Sequence, residues 1–204
     1  MVFTTSAHLP LPSTDVLSYL FSSAPPSPHT PLIHSTTVPT ESLSWHQTLT
    51  HTRRLIAGLQ HHGLRPGDCV YHLAPNSIYY GVVMLGVMGA GGVVCNGSAL
   101  LTKEETGDCV RRAGVRWIVC HPALGDKVET VEGVRLIWFD LGEEAAAAME
   151  VMEMRREGGD DGDGKMTELV RLSALLEFGE GDWVAWDDEE RSRGTVACRG
   201  FTSG

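Results

Sequence analysis

The chain has 204 residues, of which 42% are hydrophobic and 21% charged, and it carries a formal net charge of −10. That length supports a buried core, since a domain of about 150 residues already hides roughly 70% of its unfolded surface. A net negative chain lacks the positive footprint that neutralises phosphates along a nucleic acid, so nucleic acid is excluded as a partner.

The first residues, MVFTTSAHLPLPST, have no basic segment and no long apolar run, so neither a secretory signal nor a mitochondrial presequence is expected. A short helix is predicted from Asp15 to Phe21, capped by Ser13 or Thr14. Residues 22–39, rich in proline and serine, read as loop around a short extended piece at Leu32-Ile33. Ser44-Trp45-His46-Gln47 has the spacing of a capping box and opens a helix whose apolar stripe is Trp45, Leu49, Thr52, Ile56 and Leu59. His61, His62 and Gly63 close it. Adjacent histidines at a helix end point different ways, so a solvated last turn is expected rather than a metal site.

Cys69 to Leu73 reads as a strand, stopped by Pro75-Asn76-Ser77, which is expected to cap an apolar helix from Ile78 to Met88. No Asp, Glu, Lys or Arg lies between Asp68 and Lys103. The glycines from Gly86 to Gly92 and the turn residues at each end favour a buried helix and strand over a membrane span, with close helix packing as the use of Gly89 to Gly92. Gly91 to Cys95 is the next strand. Thr102-Lys103-Glu104-Glu105 is a second capping box, opening a helix to Ala113 with Gly114 as its stop. Val115 to Cys120 and Val134 to Phe139 are further strands, and Cys120-His121 reads as a strand end rather than a thiol enzyme's dyad. Strands alternating with helices predict an α/β fold with a mostly parallel sheet flanked by helices.

After Asp140 the composition shifts, and 17 of the 26 acidic residues fall between Asp140 and Glu190. Residues 142–156 suit an amphipathic helix. Residues 158–164 suit a flexible turn whose spacing does not meet a calcium loop. Residues 166–178 suit another helix, and Thr195 to Cys198 a last strand. The expected division is an α/β region at 1–140, an acidic, partly disordered insertion or linker at 141–194, and a strand entering a loop at 195–204. Five cysteines with no CxxC pair show no disulfide framework, which suits a reducing, cytoplasmic setting.

One succession is more specific than any of these. Gly58-Leu59, Gly63-Leu64-Arg65-Pro66-Gly67-Asp68-Cys69-Val70, Pro75-Asn76-Ser77, Leu85-Gly86-Val87-Met88-Gly89-Ala90-Gly91-Gly92 and Thr102 to Glu105 follow one another. Together they resemble the N-terminal region of the adenylate-forming acyl-CoA synthetase and ligase superfamily, most closely its 4-coumarate–CoA ligase-like fungal members. Phe201-Thr202-Ser203-Gly204 resembles the opening of that family's phosphate-binding loop, with Ala197 where the family ends the strand entering it. The resemblance implies the partial N-terminal lobe of such an enzyme, with Thr202, Ser203 and Gly204 as the cofactor-binding residues and no catalytic or metal-binding residue to carry over. ATP, magnesium and coenzyme A are the implied cofactors, and a small carboxylic acid the implied substrate, with secondary metabolism as a setting. The matched succession departs from the family at Ser98-Ala99, where Asn-Pro is usual, and at Thr106, where leucine is usual. A truncated ligase, inactive alone, is the first expectation. A truncated sheet would expose an edge and an apolar face, predicting association with a complementing chain. A non-catalytic interaction module or degenerate paralogue is the alternative.

Overall fold

The computed structural model describes residues 12–128, 131–157 and 170–201. Helix α1, Val16–Phe21, starts where the Asp15 carboxylate accepts the Ser18 amide at 2.8 Å. The cap expected at Ser13 or Thr14 is thus Asp15 instead, and Thr14 donates its hydroxyl to the Trp186 carbonyl at 3.0 Å. A carboxylate at this position also complements the helix dipole, which a hydroxyl does only weakly. Strands β1, Pro31–His34, and β2, Ser42–Ser44, form a small antiparallel pair.

Helix α2, Trp45–His61, carries the predicted capping box: the Gln47 amide donates to Ser44 Oγ at 3.2 Å and the Ser44 amide to Gln47 Oε1 at 2.9 Å. Its buried face is Thr52, Leu55, Ile56, Gly58 and Leu59. The predicted stripe missed Leu55 and overrated Trp45 and Leu49, which are half-buried. The face is wider than one stripe because α2 packs against helix α3, Tyr80–Gly89, and also against α6, Leu172–Leu175. Glycines permit both contacts. A Cβ on Gly86 would lie 2.6 Å from Leu55 Cδ2, and one on Gly89 or Gly58 would collide with Ile56 or the Leu175 backbone.

The main sheet contains β3 (Cys69–Leu73), β4 (Val93–Asn96), β5 (Val115–Cys120), β6 (Arg135–Trp138), β7 (Val170–Arg171) and β8 (Cys198–Arg199). Their order is β7-β6-β5-β3-β4-β8 and every pairing is parallel. β3 is buried at all five positions, as a central strand covered on both faces must be. Val70, Val94, Trp117, Val119 and Ile137 face the core shared with α2 and α3. Cys69, Tyr71, Leu73, Cys95, Ile118, Cys120 and Trp138 face the other core, closed by Val110 of α4 (Lys103–Ala113) and Met149 of α5 (Glu143–Glu157). Each fully buried aliphatic side chain contributes about 1.5–3 kcal/mol, so the two faces together specify the sheet.

Several boundaries moved for identifiable reasons. Helix α3 begins at Tyr80 rather than Ile78 and has no side-chain cap. Ser77 Oγ instead accepts the Tyr79 amide at 3.2 Å, and the Tyr80 amide returns to the Ser77 carbonyl at 3.0 Å, making a turn first. β4 starts at Val93 because Gly91, at φ 87°, belongs to the turn. The helix expected over residues 166–178 shrinks to a single turn in its described part. Val170–Arg171 pairs with β6 and only Leu172–Leu175 is helical. A helix at Glu189–Gly194 (α7), capped by Asp188, was not predicted. The last strand is Cys198–Arg199, not 195–198, since Thr195 ends α7. The turn at 158–164 lies outside the described residues. The acidic stretch 141–194 thus supplies α5, β7, α6 and α7, and its Trp183 donates an indole hydrogen bond to Ser18 at 2.9 Å. No helix among the described residues is long and apolar enough to cross a membrane.

Candidate active site

In an open parallel sheet, ligands collect at the carboxyl edge, especially where neighbouring strands send their connections in opposite directions. Here β3 connects through α3 to β4 on one side, while β5 connects through a 3-10 turn, Pro122–Lys127, to β6 on the other. Two places on this edge carry polar groups.

The first is the mouth between β4 and β8. The Val94 amide donates to the Ala197 carbonyl at 3.0 Å, and Cys95 pairs with Arg199. Ala197 therefore precedes the strand rather than ending it. Arg199 Nη1 donates to the Ala113 carbonyl at 2.9 Å, holding β8 to the end of α4. Beyond β4, the Gly97 amide donates to the His72 carbonyl at 2.8 Å, and a Cβ on Gly97 would fall 2.6 Å from the Tyr71 hydroxyl. Tyr71 meets Phe201 edge-on, with ring centroids 6.3 Å apart. Lys127 Nζ tethers the following loop by donating to the Ala99 and Leu101 carbonyls at 2.6 and 2.7 Å. Ser98, at the departure from the family pattern, accepts the Leu100 amide on its own hydroxyl. Thr202, Ser203 and Gly204 follow Phe201 but lie outside the described residues.

The second place is a cleft at the switch between β3 and β5. It is a small, partly open cleft of about 30 Å³ lined by Glu41, Asn76, Ser77, His121, Phe139 and Glu144, among others. His121 is 8% exposed, and its Nδ1 accepts the Ala123 amide at 3.2 Å. Burial lowers its pKa, against the opposing pull of Glu144. Glu41 Oε1 accepts the Glu143 amide at 2.7 Å and so caps α5 from a distant segment.

Sequence reading missed His72. It sits in the middle of β3 with no exposure, against Tyr80 at 4.3 Å and Phe139 at 5.9 Å between ring centroids. Neither ring nitrogen has a hydrogen-bond partner among the described residues, and burial depresses its pKa to about 3. The only sequence signal was a histidine inside an otherwise apolar strand. Thr106, the other departure from the family pattern, is likewise fully buried with its hydroxyl unpartnered. His61 and His62 both pack against Phe178. His61 stacks on Phe178 at 4.2 Å, and His62 meets the same ring edge-on at 5.4 Å. Among the described residues no three of His, Cys, Asp or Glu converge as ligands. The Cys120 thiol donates to the His121 carbonyl at 3.3 Å, as befits a strand end.

Comparison with known proteins places this architecture. A family model described as "AMP-binding enzyme" matches residues 21–204. An acyl-CoA ligase, azaF, from Aspergillus niger is 30% identical over the whole chain, which covers 36% of that protein. A nicotinic acid–CoA ligase, pyr1, from Aspergillus fumigatus is 27% identical over 94% of the chain and 35% of its own length. The chain thus spans about a third of the curated relatives it matches. Among solved structures, apo MatB from Rhodopseudomonas palustris superposes with a TM-score of 0.67 at 20% identity, covering 95% of this chain and 33% of that one. An anthranilate CoA ligase in complex with anthranoyl-AMP gives a TM-score of 0.69 at 13% identity, covering 96% and 32%. The parallel sheet, the ordered succession of motifs and the family match over nine-tenths of the chain agree, and the chain belongs to the AMP-binding enzyme family.

Proposed function

We propose that this chain supplies the first lobe of an ATP-dependent acid–CoA ligase, with the phosphates of ATP held where β8 leaves the carboxyl edge. The observation that supports this most is the position of Phe201, which packs on Tyr71 beside Gly97 and is followed directly by Thr202, Ser203 and Gly204. Hydroxyls and backbone amides on a glycine turn suit phosphate oxygens. In this reaction a carboxylate oxygen attacks the α-phosphorus of ATP and pyrophosphate leaves, giving an acyl-adenylate. The thiol of coenzyme A then attacks the acyl carbonyl and AMP leaves. Magnesium accompanies ATP in such transfers, but no converging ligand set among the described residues fits it, so no residue here is assigned to it.

A small carboxylic acid is the substrate class, in line with relatives described as acyl-CoA, phenylacetyl-CoA and nicotinic acid–CoA ligases of Aspergillus. Those relatives also favour a setting in fungal secondary metabolism, and a cysteine pattern without a CxxC pair favours the cytoplasm. Turnover is assigned to a longer assembly, since the relatives are about three times the length. The test is a chimera in which residues 1–204 replace the matching first third of the Aspergillus niger acyl-CoA ligase. Acid-dependent pyrophosphate release is expected from the chimera and not from the 204 residues alone. Release unchanged when Thr202, Ser203 and Gly204 are all replaced by alanine would sink the assignment.

A further inference from the structure

We propose that Tyr71 is a positioning residue for the nucleotide, because its ring sets where the chain leaving β8 reaches Thr202; this rests on the reading that Thr202, Ser203 and Gly204 hold the phosphates. Three observations carry it. First, β8 is two residues long and pairs with β4 only at Val94–Cys198 and Cys95–Arg199, so the sheet ladder stops two residues before Phe201. Gly200, which lies between, has no side chain to restrain the backbone. Second, Phe201 is 39% exposed and meets Tyr71 edge-on, with ring centroids 6.3 Å apart. Tyr71 has no exposure and belongs to β3, the strand buried at every position. Third, Gly97 leaves room for that ring: a Cβ there would lie 2.5 Å from Tyr71 Cζ, and the Gly97 amide is held by the His72 carbonyl at 2.8 Å.

With the ladder ended, a side-chain contact decides where residue 201 sits. The support is rigid on the Tyr71 side, since a ring in a strand covered on both faces has no room to move. Neighbouring Cα atoms are about 3.8 Å apart, so a shift of Phe201 passes directly to Thr202. Hydrogen bonds to phosphate oxygens need donor–acceptor distances of about 2.7–3.2 Å, and a displacement of about 1 Å breaks them. Tyr71 therefore acts on the nucleotide through Phe201 and has no route of this kind to the acid. An edge-on aromatic pair is worth a factor of roughly two to ten in an equilibrium, which sets the size of the effect.

The experiment is steady-state pyrophosphate release by the chimera described above, with ATP and the acid varied separately. Tyr71→Leu and Phe201→Leu should each raise the KM for ATP roughly two- to tenfold and leave the KM for the acid unchanged. The double variant should be no worse than either single one, because both remove the same contact. Tyr71→Phe keeps the ring and should restore the parent's KM for ATP. Tyr71 is a core residue, so Phe201→Leu, at an exposed position, supplies an arm that leaves the core intact. A merely structural role would lower the melting temperature of Tyr71→Leu and move neither KM. The proposal is overturned by a KM for ATP that stays at the parent value in Phe201→Leu, by equal rises in both KM values, or by additive effects in the double variant. Replacing Thr202, Ser203 and Gly204 by alanine checks the phosphate reading separately. Release lost there, with Phe201→Leu unchanged, removes the role of Tyr71 and leaves the loop assignment standing, whereas release retained there overturns both.

Discussion

Lowering the pH from about 7.5 to about 5 should weaken the fold by about 2 kcal/mol through His72 alone. The folded pKa of this residue is depressed to about 3 by burial, whereas in the unfolded chain it returns to its ordinary value of 6.5. Between these values the unfolded state binds a proton that the folded state refuses. Stability is therefore fully present above the unfolded value, falls as the pH drops below it, and levels off only near the folded value. Each pH unit inside that window costs about 1.4 kcal/mol, and the drop to about pH 5 crosses roughly one and a half units. His51 and His121 are also lowered by burial and act in the same direction, so a single protein does not isolate His72. The difference between the parent and His72→Leu does. At about pH 7.5 the variant should be more stable by about 1–3 kcal/mol, because a buried polar group without a partner is removed. Its advantage should then widen by about 2 kcal/mol at about pH 5. Urea unfolding followed by tryptophan fluorescence at both pH values measures this. Parallel loss of stability in parent and variant across the window would refute the account of His72.

Thr106→Val should raise stability by about 1 kcal/mol in the same urea assay, since it replaces an orphaned buried hydroxyl with a methyl of equal shape. Gly97→Ala should lower stability by about 1–3 kcal/mol, because its Cβ would meet the Tyr71 hydroxyl, and near-ultraviolet circular dichroism should report the displaced ring. Ser44→Ala should cost about 1 kcal/mol through loss of the α2 cap, seen as a lower melting temperature. Lys127→Met should free the loop at 97–101 and speed proteolytic cleavage there, while the helical circular dichroism of the chain stays the same.

The local elements of this protein are legible in its sequence. Ser44 to Gln47 and Thr102 to Glu105 announce two helix starts, and both capping boxes form. Gly114, in the left-handed region at φ 62°, ends α4 where glycine alone is comfortable. Cys69 to Leu73 and Val115 to Cys120 are strands with the predicted ends. The family, too, is readable from the spacing of its motifs. What the sequence could not determine is which apolar groups share a surface. Leu55 is buried because α3 and α6 flank α2 on two sides, an arrangement that no single-helix periodicity contains. Val170 and Arg171 join the sheet because β6 offers an open edge, and edge pairing overrides the weak helical preference of a short segment. His72 and Thr106 look ordinary in the chain and become orphans only when the layers close over them. Local order follows from bonds between near neighbours, which the sequence lists directly. The cleft, the mouth beside β8 and the buried orphans arise from contacts between segments far apart in the chain, and only the tertiary structure decides those.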